Sequence, residues 1–118
     1  MLSALDGASV YLACGNTDLR KSIDGLAALV SQDFLLDLFS NSLFVFCNRD
    51  RDKLKILTWD HNGFWLSYRR LEKGRFRWPI RQEDRSLAIS RRELQWLLDG
   101  LTLQQKQAHA AVNARIAV

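Results

Sequence analysis

The chain has 118 residues, of which 47% are hydrophobic, 25% charged and 10% aromatic. That length and balance suit one globular domain with its own core and are too short for most multi-domain enzymes. A formal charge of +4 and a pI near 9.4 favour an anionic partner, and the single proline, Pro79, excludes a Pro-rich linker.

No apolar run approaches the roughly 20 residues of a membrane-spanning helix. The longest stretch, from Phe34 to Cys47, is broken by Asp37, Ser40, Asn41 and Ser42. The N-terminus lacks a basic segment followed by an apolar one, and Asp6-Gly7 falls where a signal peptide is most apolar. A cytoplasmic protein without a membrane partner is expected. Cys14 and Cys47 lie in strand-like contexts, where buried free thiols are expected.

In chain order, residues 8–14 alternate, with Val10, Leu12 and Cys14 on one face and Tyr11 and Ala13 on the other, which predicts a strand. Gly15-Asn16 signals a turn. Thr17 or Asp18 is then placed to cap a helix over 18–31, whose stripe is Leu19, Ile23, Leu26 and Val30. Gly25 inside that helix costs about 1 kcal/mol against Ala, so a close contact is expected there. Residues 33–42 fit either a short helix or a loop.

Leu43–Cys47 reads as a strand, Asn48–Asp52 as a charged turn, and Lys53–Trp59 as a second alternating strand. Asp60-His61-Asn62-Gly63 is a hairpin loop, with Asn62-Gly63 the expected site of positive φ. Phe64–Leu71 returns, Glu72–Gly74 turns again, and Arg75–Pro79 forms a short last strand of alternating basic and aromatic residues. Pro79 belongs at a strand end or an edge. These short connections predict an antiparallel meander over 43–79. Residues 80–89 read as a charged loop ending in an extended piece, Leu87–Ile89. Ser90 and Glu93 form a capping box for a helix with Leu94, Leu97, Leu98 and Leu101 on its apolar face and Gly100 at its C-terminal cap. The Gln- and Ala-rich tail, 102–118, reads as a peripheral or frayed helix.

The positive charge is concentrated. Residues 49–92 hold thirteen basic and six acidic residues, a net +7, and the remainder carries −3. Ten of those cations are arginine, which suits bidentate phosphate contact. Interleaved with Tyr68, Phe76 and Trp78, they could follow a phosphate backbone and stack on bases. Equally, charges on the solvent face of a meander keep it soluble and blunt its edges.

Catalytic and metal readings find little support. His61 and His109 are far apart and neither is near a cysteine, so zinc spacing is missing. The glycines stand alone rather than in a phosphate loop, and a nucleophile triad has no motif. Asp18, Asp60 and Glu93 could form an acidic trio for a metal-dependent nuclease, but each has a local reading, as helix cap, turn residue and capping-box member. No cofactor is expected. Among the tryptophans, Trp59 and Trp65 flank one hairpin loop and are expected to pair across it. Trp96 lies off its helix stripe, where exposure would mark a partner surface.

Two long strings carry a family resemblance. Val10–Leu26 (VYLACGNTDLRKSIDGL) and Leu43–Pro79 (LFVFCNRDRDKLKILTWDHNGFWLSYRRLEKGRFRWP) resemble the TnpB-type accessory proteins encoded by the second open reading frame of bacterial insertion sequences of family sixty-six. The likeness covers roughly 9–101. It implies a role in transposition beside a larger transposase and supplies no catalytic residues. The chain departs from the family pattern in two places. Leu38-Phe39-Ser40-Asn41 replaces a usual Pro-Phe-Ser-Gly: Asn41 tolerates the left-handed conformation that the glycine would take, and Leu38 loses the proline's fixed turn. Cys47 stands where a basic residue is commoner.

The expectation is therefore a single α+β domain over 1–101: an antiparallel sheet built on 43–79 and joined by the 8–14 strand, with helices packed on one face. The expected function is a non-catalytic accessory protein of transposition. DNA phosphate would meet Arg49, Arg51, Lys53, Lys55, Arg69, Arg70, Lys73, Arg75 and Arg77, with Tyr68 and Trp78 stacking on bases. The alternative is an adaptor that docks on the transposase and other proteins of the element through exposed aromatics.

Overall fold

The structure, a computed structural model, describes residues 7–80 and 83–103. Five strands form one sheet in the order β4-β3-β2-β1-β5. They are β1 (Ser9–Ala13), β2 (Ser42–Cys47), β3 (Lys53–Asp60), β4 (Gly63–Arg70) and β5 (Ser86–Ile89). Helix α1 (Ile23–Ala28) follows β1 and runs into a π-helical turn over Leu29–Asp33, and α2 (Arg91–Leu98) closes the described chain.

β2 is buried at every residue, which explains its unbroken apolar run: both of its faces are covered. Leu43, Val45 and Cys47 meet Val10, Leu12, Leu54 and Ile56 in one core layer, sealed by Phe76, Trp78, Leu94 and Leu97. Phe44 and Phe46 meet Ala13, Leu57, Leu26 and Val30 in the other. The helices therefore lie on opposite faces, not on one. The alternation of β1 carries the reason, since it has large apolar groups on both sides.

Only β2, β3 and β4 form the antiparallel meander. β1 joins it parallel to β2, with Val10 opposite Leu43. The α1 crossover returns the chain to the end from which β1 started, so a parallel pairing results. β5, the predicted extended piece, adds to the other side of β1 in antiparallel register. Arg75–Pro79 is extended but not a strand. It crosses the end of the sheet, held by the Phe76 amide on the Arg51 carbonyl at 2.7 Å and by the Trp78 indole N–H on the Ala13 carbonyl at 2.8 Å. Burial of two aromatic rings takes the place of a ladder.

The helix after β1 starts later than its sequence pattern suggests, with Ser22 at its N-cap and no side-chain cap. Asp18 instead folds back on Arg20. Leu19 and Ile23 still pack on the same core layer as Leu26 and Val30. A Cβ at Gly25 would come within 3.1 Å of the Lys21 Cβ, the close contact its sequence position suggests. Residues 34–41 are a loop. Its left-handed residue is Leu35, at φ 56, and Asn41 is not among the residues of positive φ. In the β3–β4 hairpin, positive φ falls on His61 rather than on Asn62-Gly63. The Ser90–Glu93 capping box is present, and Gly100 has the positive φ of a C-terminal cap. The tail beyond Leu103 lies outside the described residues, as do Arg81 and His109.

Candidate nucleic-acid interface

The carboxyl ends of β1 and β2 point the same way, and the segments leaving them, Asn16–Arg20 and Asn48–Asp52, stand side by side. The second is a tightly specified turn. The Asn48 side-chain oxygen accepts from the Asp52 and Lys53 amides at 3.1 and 3.0 Å, and its amide donates to the Asp52 carboxylate at 2.7 Å. That bond holds the Asp52 carboxyl below the usual carboxylate range. Arg51 sits at φ 61, a conformation costing a non-glycine residue about 1–2 kcal/mol. It is retained because the Arg51 and Asp52 carbonyls accept the Phe76 and Leu71 amides, both at 2.7 Å. The turn is thereby fixed to the 71–76 segment, and Arg49 and Asp50 are left exposed at its tip.

Two open grooves flank this turn. One, of about 1090 Å³, is lined by Arg49, Arg51, Arg75 and Arg77, with Asp50 its only carboxylate among the described residues. Arg75 and Arg77 face outward because Phe76 and Trp78, the alternate residues, are buried. The other, of about 1010 Å³, lies between Asn16–Arg20 and the face of β3 and β4, and carries Arg49, Lys53, Lys55 and Tyr68.

The predicted cations differ in what they are free to do. The Lys55 ammonium donates to the Leu19 and Lys21 carbonyls at 2.7 and 3.0 Å, which ties the segment after β1 to the sheet. Arg70 pairs with Glu72 at 2.8 Å, and Lys53 approaches Asp52 at 3.7 Å. Among the described residues, Arg49, Arg51, Arg69, Lys73, Arg75 and Arg77 have no ion pair. Tyr68 is 55% exposed, but Trp78 is 5% exposed. Trp78 is therefore a core residue that anchors the arginines, and it cannot stack on a base while its indole is in place.

The other aromatic and acidic residues have local roles. Trp59 pairs with Phe64, ring centroids 5.0 Å apart, while Trp65 projects from the opposite face of the hairpin, opposite Thr58. Trp96 is half-buried rather than exposed. Asp18, Asp60 and Glu93 are engaged by Arg20, the Trp65 indole and the Ser90 amide respectively. Cys14 is half-buried and Cys47 buried, neither in a disulfide among the described residues, and burial pushes the Cys47 thiol up to about 12. Among the described residues, no group of three or more His, Cys, Asp or Glu could hold a metal ion, and no helix is long and apolar enough to cross a membrane.

Sequence reasoning missed Asn48, whose side chain builds the turn, and Asn16 and Thr17, which line the second groove. The only signal is the run Gly15-Asn16-Thr17-Asp18-Leu19-Arg20 directly after a strand, which reads as a turn and a helix cap.

Comparison with known proteins agrees with the sequence resemblance. Residues 8–108 match the family described as "IS66 Orf2 like protein". Two relatives come from Sinorhizobium fredii (strain NBRC 101917 / NGR234). "Uncharacterized protein y4hO" is 36% identical over 107 residues, 91% of this chain and 92% of its own length. "Uncharacterized protein y4jC" is 34% identical over 101 residues, 86% of each. No solved structure matches. A match across most of the chain, with relatives of nearly equal length, places the protein in the IS66 Orf2-like family, a membership that fits an accessory role in insertion-sequence transposition.

Proposed function

We propose that this protein is a non-catalytic accessory factor of transposition that contacts DNA backbone through the arginines around the Asn48–Asp52 turn, beside the transposase and other proteins of its element. The observation that carries this reading is the groove of Arg49, Arg51, Arg75 and Arg77. Four guanidinium groups without ion pairs among the described residues converge on one open surface, against a single carboxylate. Guanidinium groups bind phosphate bidentately. The backbone beneath them is tied down, so little ordering is required on binding. Lys73 and Arg69 extend the positive surface. Lys55, turned into the Leu19 and Lys21 carbonyls, and Arg70, paired with Glu72, contribute field more than contact. The engagement of Asp18, Asp60 and Glu93 in local bonds supports a role without catalysis.

Salt-titrated binding to duplex DNA from the element ends tests the reading. Four phosphate contacts predict that log K falls against log salt with a slope of about −4. No binding at low salt, or binding without a slope, overturns it. Mg²⁺-dependent cleavage lost in Asp60→Ala would overturn the non-catalytic part.

A second reading, an adaptor without DNA contact, is favoured by the exposure of Phe39 and Trp65 at the far end of the sheet. A pull-down with the other proteins of the element after nuclease treatment separates the two. Association that survives nuclease supports the adaptor.

A further inference from the structure

The second groove differs in chemistry from the arginine groove although the two share Arg49 and Asp50. Its cations are Arg20, Arg49, Lys53 and Lys55 against Asp18 and Asp50. Arg20 is neutralised by Asp18 at 2.8 Å and Lys55 is turned into the Leu19 and Lys21 carbonyls. Arg49 has no ion pair among the described residues and Lys53 only a 3.7 Å approach to Asp52, so these two remain for an anion. Beside them, Tyr68 stands on the edge strand β4 directly opposite Lys55, with its ring more than half exposed. Leu19 supplies the apolar part of the facing wall. Among the described residues, the Asn16 amide and the Thr17 hydroxyl make no side-chain hydrogen bond. An aromatic face, an apolar wall, uncommitted amide and hydroxyl groups and two cations are what an unpaired nucleotide requires: stacking for the base, polar groups for its edge, charge for its phosphate. Duplex DNA makes no use of such a face, because its bases are already stacked and present only their edges.

We propose that this groove binds an unpaired nucleotide, with the base on Tyr68 and its phosphate on Arg49 and Lys53. A strand leaving the arginine groove passes over Arg49 and Asp50 and enters this one. The protein thus holds DNA where duplex gives way to single strand. The proposal rests on the reading that the Asn48–Asp52 turn meets DNA.

The test measures fluorescence anisotropy with a labelled single-stranded oligonucleotide and with a blunt duplex of the same sequence, at one fixed salt concentration. Wild-type protein is expected to bind both. Tyr68→Leu is expected to weaken single-strand binding about tenfold or more, as removal of one stacked base does, and to change duplex binding less than twofold. Tyr68→Phe keeps the ring and should keep single-strand affinity. The double variant Arg75→Gln/Arg77→Gln should weaken both. Tyr68 is exposed, so circular dichroism of Tyr68→Leu should match the wild type. Duplex binding with no single-strand binding, or single-strand binding indifferent to Tyr68→Leu, overturns this proposal alone. Failure to bind either nucleic acid overturns the DNA reading and this proposal with it.

Discussion

The two ends of the sheet are built on different physics. At the end where β1 and β2 finish, the Asn48–Asp52 turn is held by backbone and side-chain hydrogen bonds to its own residues and to the 71–76 segment, and it displays cations. At the opposite end, where β3 passes into β4, ring contacts dominate. Phe39 packs edge-on to Trp59 at 5.0 Å and tilted to Phe64 at 6.1 Å, yet stays 59% exposed. Hydrogen bonds are directional and fix a turn in one geometry, whereas ring contacts allow several packings of similar energy. The cationic end is thus suited to presenting charges at fixed spacing, and the aromatic end to meeting another surface.

The largest expected effect breaks the first end from within. Phe76→Ala removes a ring that is 1% exposed, and core Phe truncations cost about 3–5 kcal/mol. Urea unfolding should show that destabilisation as a lower midpoint at unchanged slope. Because Phe76 and Trp78 aim Arg75 and Arg77 outward, the variant should also lose its salt-dependent DNA binding. At the aromatic end, Phe39→Ala removes two ring interactions from a half-exposed site and should cost about 1 kcal/mol, with DNA affinity within twofold of the wild type. A drop in DNA affinity there would erase the contrast between the ends. Smaller still in stability is Arg75→Gln/Arg77→Gln. Both side chains are exposed, and such changes stay within about 0.5 kcal/mol. The salt slope should nevertheless flatten by about 2, close to one for each phosphate that the variant no longer neutralises.

Which parts of this contrast can be read beforehand follows from the range of the interactions. The strands of the meander, the capping box at Ser90 and Glu93 and the concentration of charge in 49–92 depend on local periodicity and composition, and they are legible. The parallel β1–β2 pairing is not, because α1 and a long loop separate the partners and nothing in the alternation of β1 distinguishes parallel from antiparallel. Trp78 misleads for a related reason. Its neighbours Arg77 and Pro79 suggest an exposed edge, but the Ala13 carbonyl that receives its indole lies 65 residues away in sequence. Lys55 likewise looks like one more surface cation, and its bonds to the Leu19 and Lys21 carbonyls depend on where the crossover brings that loop. The positive φ of Leu35 in place of Asn41 shows the same limit at shorter range. Tertiary packing of Phe34, Leu36 and Leu38 on the α1 face decides which residue of the loop bends.

The smallest expected effect lies in a wall of the nucleotide groove. Arg20 grips the Asp18 carboxylate with two guanidinium nitrogens, at 2.8 to 3.1 Å, and its own amide adds a bond of 3.0 Å. Those side-chain bonds are the main reason the Asp18 carboxyl falls from 3.8 to about 2. A carboxyl lowered on folding stabilises the native state above its unfolded value. That contribution is whole above about pH 4 and is lost as pH falls through about 2. Both side chains are solvent-exposed, so screening keeps the effect on melting temperature small. The carboxyl carbon of Asp18, followed by NMR, should titrate near pH 2 in the wild type. In Arg20→Gln the midpoint should rise towards 3.8, since the charged partner and its fork are gone. Added salt should move the wild-type midpoint in the same direction by a smaller amount. An Asp18 midpoint near 3.8 in the wild-type protein would mean that the Arg20 fork is open in solution. Arg20 would then be a further cation for the groove, whose wall stays tied to the sheet through Lys55 and the Thr17 amide.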